Sequence, residues 1–237
     1  MNPTLKVLSL LLTYPSADLQ SAVPELKVAL EEDKALGKRE LNLLVRLIDD
    51  ISKHDLYDAQ ERYVFLFDRT RTLSLHLFEH VHGESRDRGQ AMVDLMSMYE
   101  ADGFEIDAKE LPDYLPMFLE YLSNKPEAEA RELLGQTAHI ITVMKERLRK
   151  RNSIYVNVFV VLESIAKGKP DAKLVRELLA VPEDDPNDLE ALDRVWEEEA
   201  ITFGGNAGEG ACGTDRIQRQ VRAAQRKPAD IQPNQST

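Results

Sequence analysis

The chain has 237 residues, 43% of them hydrophobic, with 42 acidic against 30 basic side chains and a formal net charge of −12. That length suits one domain with an appendage and buries roughly 70% or more of its unfolded surface, so the fold needs no staple. A single cysteine, Cys212, excludes an internal disulfide. The acidic balance repels nucleic acid phosphates and permits a basic partner, although acidity also serves solubility alone.

From the N-terminus, the apolar run Val7 to Leu12 is too short to span a bilayer. It lacks the basic start and cleavage site of a signal peptide, and no other stretch approaches membrane-span length. A soluble cytoplasmic protein is expected. Leu41, Leu44, Val45, Ile48 and Ile51 follow the stripe of an amphipathic helix. Leu56, Tyr63, Leu66 and Phe67 mark a second, with Asp55 as its N-cap. Met92, Leu95, Met96 and Tyr99 mark a third, stopped by Gly103. Pro112 suits the first turn of a fourth, which buries Leu115, Phe118, Leu119 and Leu122 before Pro126 breaks the chain.

Residues 127–166 read as helix for most of their length, with a break near 151–153. The β-branched stretch 154–165 could form a buried strand, but no partner strand occurs to satisfy its backbone, so it too is read as helix. Weaker helices are expected over 173–179 and 189–203. From Gly204 the sequence turns rich in Gly, Gln and Pro, too poor in large apolar groups to offset chain entropy. The expected layout is an all-α, single-domain helical bundle over 1–203 and a flexible tail over 204–237, whose removal leaves the thermal transition in place.

Chemistry-bearing residues concentrate between 76 and 92. His80, His82, Glu84, Arg86, Asp87 and Arg88 crowd between two apolar helices. The structural reading is a helix–turn–helix corner: Gly83 ends one helix, Ser85 caps the next, and the arginines pair with carboxylates. A metal reading competes, because His76-Leu77-Phe78-Glu79-His80 matches H-x-x-E-H. On a helix both imidazoles would share a face. No third ligand is flagged by spacing, so neither metal nor catalytic residues are expected. Glu110-Leu111-Pro112-Asp113-Tyr114 suits a helix N-terminus. There is no P-loop, no G-x-G-x-x-G and no G-x-S-x-G, and Cys212 lies in the expected tail.

These segments, in this order, resemble the NarJ group of the TorD/DmsD/NarJ family of redox-enzyme maturation chaperones. The resemblance rests on Leu66-Phe67-Asp68-Arg69, Ser74, and the run from Leu77 to Leu95 that contains His80-Val81-His82-Gly83-Glu84-Ser85-Arg86-Asp87-Arg88. Glu110-Leu111-Pro112-Asp113 is similar to the family's E-x-P-D-H hallmark, with Tyr114 where the broader family has His. Val195-Trp196-Glu197-Glu198-Glu199 also resembles this branch. A proton-transfer or metal role assigned to that His cannot pass to Tyr114, but a hydrogen-bonding role can.

The resemblance implies an all-α fold and a client, the catalytic alpha subunit of respiratory nitrate reductase. That client must receive bis-molybdopterin guanine dinucleotide and an iron–sulfur cluster before it docks to its membrane anchor. The chaperone would grip the client's N-terminal segment and be absent from the mature enzyme, with proteins of molybdenum cofactor biosynthesis as further partners. Neither nucleic acid binding nor membrane insertion is expected. Client contacts are assigned to Leu77, Phe78, Glu84, Glu110, Asp113, Tyr114 and Phe118. Glu110 and Asp113 would receive basic groups, and with Asp113 as a contact Asp113→Asn would weaken binding while leaving the melting temperature nearly unchanged. His80, His82, Arg86, Asp87 and Arg88 are assigned to the structural corner. Two alternatives stand beside this one. One is a chaperone of the same family for another molybdoenzyme, or a proofreader of a twin-arginine signal. The other is an H-x-x-E-H metallohydrolase.

Overall fold

Caps and prolines set many of the helix starts. Asn2 Oδ1 accepts from Leu5 N at 3.0 Å, and Pro3 opens α1 (Pro3–Leu11). Ser16 caps α2 (Ala17–Ser21), and Pro24 lies in the first turn of α3 (Val23–Glu32). Then come α4 (Lys38–Lys53) and α5 (Leu56–Phe67), the latter capped by Asp55, which accepts from Tyr57 N at 2.9 Å. Two 3-10 turns, Arg71–Leu73 and Leu77–Glu79, lead to α6 (Arg86–Ala101). The remaining helices are α7 (Leu115–Ser123), α8 (Glu127–Gln136), α9 (Ala138–Lys150), α10 (Val156–Ile165) and α11 (Ala172–Ala180). This computed structural model describes residues 1–33, 36–81, 86–106, 110–183, 185, 187 and 188, with the side chains of 86 and 87 excepted. They fall in one compact unit, Met1–Asp188.

The first apolar run of the sequence joins the hydrophobic core. α1 packs along α7, and Leu5, Leu8, Leu12, Leu119 and Leu122 have no exposed surface. Burying one such side chain stabilises the fold by roughly 1.5–3 kcal/mol. The two helices are also tied by Ser9 Oγ, which donates to Pro116 O at 2.6 Å, and by Asn2 N, which donates to Ser123 O at 2.5 Å. α10 packs against α9 and α4 and buries Val158, Phe159, Val161 and Leu162 completely. Its β-branched residues form a helix, as expected from the want of a strand partner. Among the described residues the sole β feature is an isolated antiparallel bridge, His76 to Tyr114.

The helices expected around 41–51, 56–67, 92–99 and 173–179 are present, and Gly103 takes the left-handed conformation (φ 71) that ends α6. The break near 151–153 is also present: Asn152 adopts φ 51 after α9. A second break, at Thr137, divides 127–166 once more. There Thr137 N and Oγ1 both donate to Leu134 O. Gly135 lies so close to the chain at Lys167 that a Cβ would stand 2.2 Å from its carbonyl oxygen. Two expectations are corrected. The fourth helix starts at Leu115 with Pro116 in its first turn, so Pro112 precedes it. Residues 76–80 form no α-helix, only a 3-10 turn. The expected 189–203 helix and the boundary at 203/204 lie outside the described residues. No helix among the described residues is long and apolar enough to cross a membrane.

Candidate functional site

Two loop segments far apart in sequence meet at one junction, and the chain's most distinctive motifs meet with them. Leu115 N donates to Leu75 O at 2.8 Å and Leu77 N to Asp113 O at 3.0 Å, pinning 75–77 against 113–115. Asp113 lies at the centre and is completely buried. Its Oδ1 accepts from His76 Nδ1 at 3.1 Å and its Oδ2 from Phe78 N at 3.0 Å. A buried carboxyl without such donors would be strongly unfavourable, so the pairing explains why an aspartate is tolerated there. Burial tends to lower the basicity of His76. The hydrogen bond and charge of Asp113, aided by Glu79, outweigh it and hold the imidazole above its ordinary pKa.

α5 supplies the roof. Tyr63, on its inner face, donates its hydroxyl to Leu12 O at 2.9 Å, so the Tyr114 hydroxyl 3.1 Å away acts as donor to Tyr63. Tyr114 also lies against the His76 ring, with centroids 5.4 Å apart. The Tyr14 ring meets Tyr63 edge-on at 5.7 Å. Burial raises the pKa of both Tyr63 and Tyr114, which keeps the pair as neutral hydrogen-bonding phenols. Tyr114 thus performs a hydrogen-bonding role in place of the imidazole of the broader pattern.

The residues assigned from sequence separate here. Leu77 and Phe118 are each 4% exposed and belong to the core, so the expectation of accessible apolar anchors at these two positions is corrected. The expectation of an accessible carboxylate at Asp113 is corrected likewise, because both its oxygens serve the junction. Phe78 and Tyr114 are partly exposed and Glu110 is exposed. Arg88 Nη2 donates to Glu79 Oε1 at 3.3 Å. With Tyr99, whose hydroxyl donates to Pro112 O at 2.9 Å, it ties the two ends of α6 to the two junction segments. His80 Nε2 donates to Ser74 O at 2.8 Å; burial lowers its pKa, as does the nearby Arg147 charge. His82 and Glu84 lie outside the described residues, as do the side chains of Arg86 and Asp87.

The metal reading loses its geometry. Without a helix at 76–80, His76 turns to Asp113 and His80 to a carbonyl. Among the described residues no group of three or more His, Cys, Asp or Glu is placed to hold an ion. His76 as the partner of Asp113, and Tyr14 and Tyr63 beside it, are site residues beyond those expected from the motifs. No spacing signal joins residues 37 positions apart. Next to the junction, the outer face of α5 and Tyr14 line an open groove of about 290 Å³ with Tyr57, Gln60, Glu61, Val64, Phe65 and Arg69.

Fold and junction together define an all-helical bundle built around a buried polar junction. A crystal structure described as that of a "putative redox enzyme maturation protein" from Archaeoglobus fulgidus shares this fold at a TM-score of 0.50 and 20% identity, over 69% of this chain and 92% of that one. The family model described as nitrate reductase delta subunit matches residues 16–161. The chain is 42% identical over 222 residues, 93% of each chain, to the nitrate reductase molybdenum cofactor assembly chaperone NarJ of Escherichia coli strain K12. It is 30% identical to the probable nitrate reductase molybdenum cofactor assembly chaperone NarJ of Bacillus subtilis strain 168, over 67% of this chain and 85% of that one. The chain belongs to the nitrate reductase delta subunit family.

Proposed function

We propose that this protein is a molybdenum cofactor assembly chaperone for respiratory nitrate reductase. It works in the cytoplasm, binds the catalytic alpha subunit through that subunit's N-terminal segment, and is absent from the mature enzyme. The observation that carries this reading is the 42% identity over 93% of the chain to a protein named for that task. The Escherichia coli and Bacillus subtilis relatives are both named as assembly chaperones. The cargo is bis-molybdopterin guanine dinucleotide, delivered to the client and not retained. Proteins that make this cofactor are further partners.

Physical chemistry supports the division of labour. A bulky cofactor cannot enter a close-packed, finished protein. A chaperone with higher affinity for the open client shifts the population toward it until the cofactor arrives. The junction offers Phe78, Tyr114 and Glu110 at the surface, with Leu77, Asp113 and Phe118 holding them from below. An acidic surface steers a basic amphipathic client segment, and apolar contacts retain it.

The test is capture of the tagged protein from nitrate-respiring cells, with mass spectrometry of what comes with it. The expected catch is the catalytic subunit low in molybdenum. In cells lacking the chaperone, that subunit should accumulate without cofactor. Full molybdenum occupancy in such cells would overturn the proposal.

A further inference from the structure

We infer that the groove on α5 lined by Tyr14, Tyr57, Val64 and Phe65 receives an apolar part of the client's N-terminal segment, with a Lys or Arg of that segment beside Glu61. This rests on the chaperone reading and adds a site that lies outside the junction motifs.

Three observations carry it. First, α5 is apolar on two sides. Ala59, Tyr63, Leu66 and Phe67 are buried inward, yet Tyr57 and Val64 stand on the opposite stripe, at i and i+7 with Glu61 between them. A helix apolar on both faces is normally covered on both. Here Tyr57 is 79% exposed and Tyr14 49%. Exposed aromatic side chains gathered around one concavity are the kind of residue that carries binding energy in interfaces. Second, the volume of about 290 Å³ lies at the small end for ligand pockets and suits a few peptide side chains. Third, the charges select the partner. Glu61 lines the groove, and exposed Asp58 lies on the same helix next to the lining residue Tyr57 in sequence. The cation in the lining, Arg69, is placed over the Phe65 ring at 5.8 Å. With a net charge of −12 behind them, these carboxylates favour an apolar segment bearing a basic residue. The groove is also continuous with the junction, since Tyr14 meets Tyr63 and Tyr63 meets Tyr114.

The experiment uses the full chain and a labelled synthetic peptide of the N-terminal segment of the cognate catalytic subunit, read by fluorescence anisotropy. Tyr57→Ser and Phe65→Ser should each weaken binding about tenfold or more. Glu61→Gln should weaken it by about threefold and flatten its dependence on salt. Val28→Ser, an exposed change on α3, should bind as the wild type does. Tyr57 is nearly free in solvent, so its variant stays folded even if that of Phe65 does not. Wild-type affinity in folded Tyr57→Ser and Glu61→Gln overturns the groove and leaves the chaperone reading standing. Failure of the wild type to bind the peptide overturns both. Sedimentation velocity supplies the last arm: a wild-type dimer that Tyr57→Ser makes monomeric, with peptide binding unchanged, would assign the groove to a second copy and overturn the proposal.

Discussion

The junction and the α5 groove share Tyr63 as a border, yet they use polar and aromatic groups in opposite ways. At the junction a carboxylate is fully buried and its two oxygens are committed to His76 and the Phe78 amide. On the groove Glu61 is exposed, and Tyr57 points into solvent. The junction therefore stores stability and shape, while the groove stores unsatisfied apolar surface. The difference teaches that a distinctive charged motif can mark the frame that presents a surface, while the surface itself lies on a plainer helix beside it.

Removing a core side chain under the junction should have the largest effect. Phe118→Ala should cost about 3–5 kcal/mol by thermal or denaturant unfolding, because Phe118 is 4% exposed and packs in the core. Destabilisation below about 1 kcal/mol would make Phe118 a surface anchor after all. Next comes Asp113→Asn. It replaces a charge-assisted pair with a weaker amide contact and turns a donor toward one of two existing donors, so about 1–3 kcal/mol should be lost. With both oxygens held inside the junction, the melting temperature should therefore fall, where a client contact at Asp113 would leave it nearly unchanged. An Asp113→Asn protein that melts with the wild type but fails to bind peptide would return Asp113 to the contact surface.

Much of this frame was legible in the sequence. The period of 3.6 showed α4 to α7, and the cap Asp55 showed where α5 starts. α1 was harder. Its run from Val7 to Leu12 is apolar apart from Ser9 and buried apart from half-buried Leu10, so too few polar positions remain to mark a face. The break at Thr137 was hidden because Thr137 and Gly135 are tolerated inside helices; the close approach of Lys167 is a tertiary fact. The site was legible as motifs but not as geometry. H-x-x-E-H implied two histidines on one helix face, but the pairing of His76 with Asp113 overrode that local pattern. Exposure was the least legible quantity, since Asp113 and Glu110 stand in the same pentapeptide with opposite burial.

A pH series sharpens the comparison with a smaller effect. The folded-state pKa of His76 lies above its unfolded value near 6.5. Its contribution is therefore fully present below about pH 6.5 and is lost as pH rises through the raised value. His80 acts in the opposite sense: burial lowers its pKa, so it removes stability as pH falls below about 6.5. The two partly cancel in the wild type, and the difference between wild type and His76→Gln isolates the first. That difference in melting temperature should be largest near pH 5.5 and shrink toward pH 8.5. A difference that stays flat would mean that His76 meets Asp113 as a neutral ring. The groove residues should add nothing to this profile, because none of them touches the imidazole.

The smallest expected change in stability belongs to Tyr57→Ser, and it separates the two regions most cleanly. Tyr57 is 79% exposed, so folding buries little of its ring and the variant forfeits little hydrophobic energy. Its amide, which binds Asp55 at the helix cap, is backbone and survives the substitution. A surface change of this kind normally stays within about 0.5 kcal/mol. The chain should therefore melt with the wild type, as measured by circular dichroism, while its peptide affinity falls. Asp113→Asn should show the reverse order, losing stability first and affinity only as the junction loosens. If Tyr57→Ser instead lowers the melting temperature by several degrees, its ring packs against the chain in solution, and the groove is already filled.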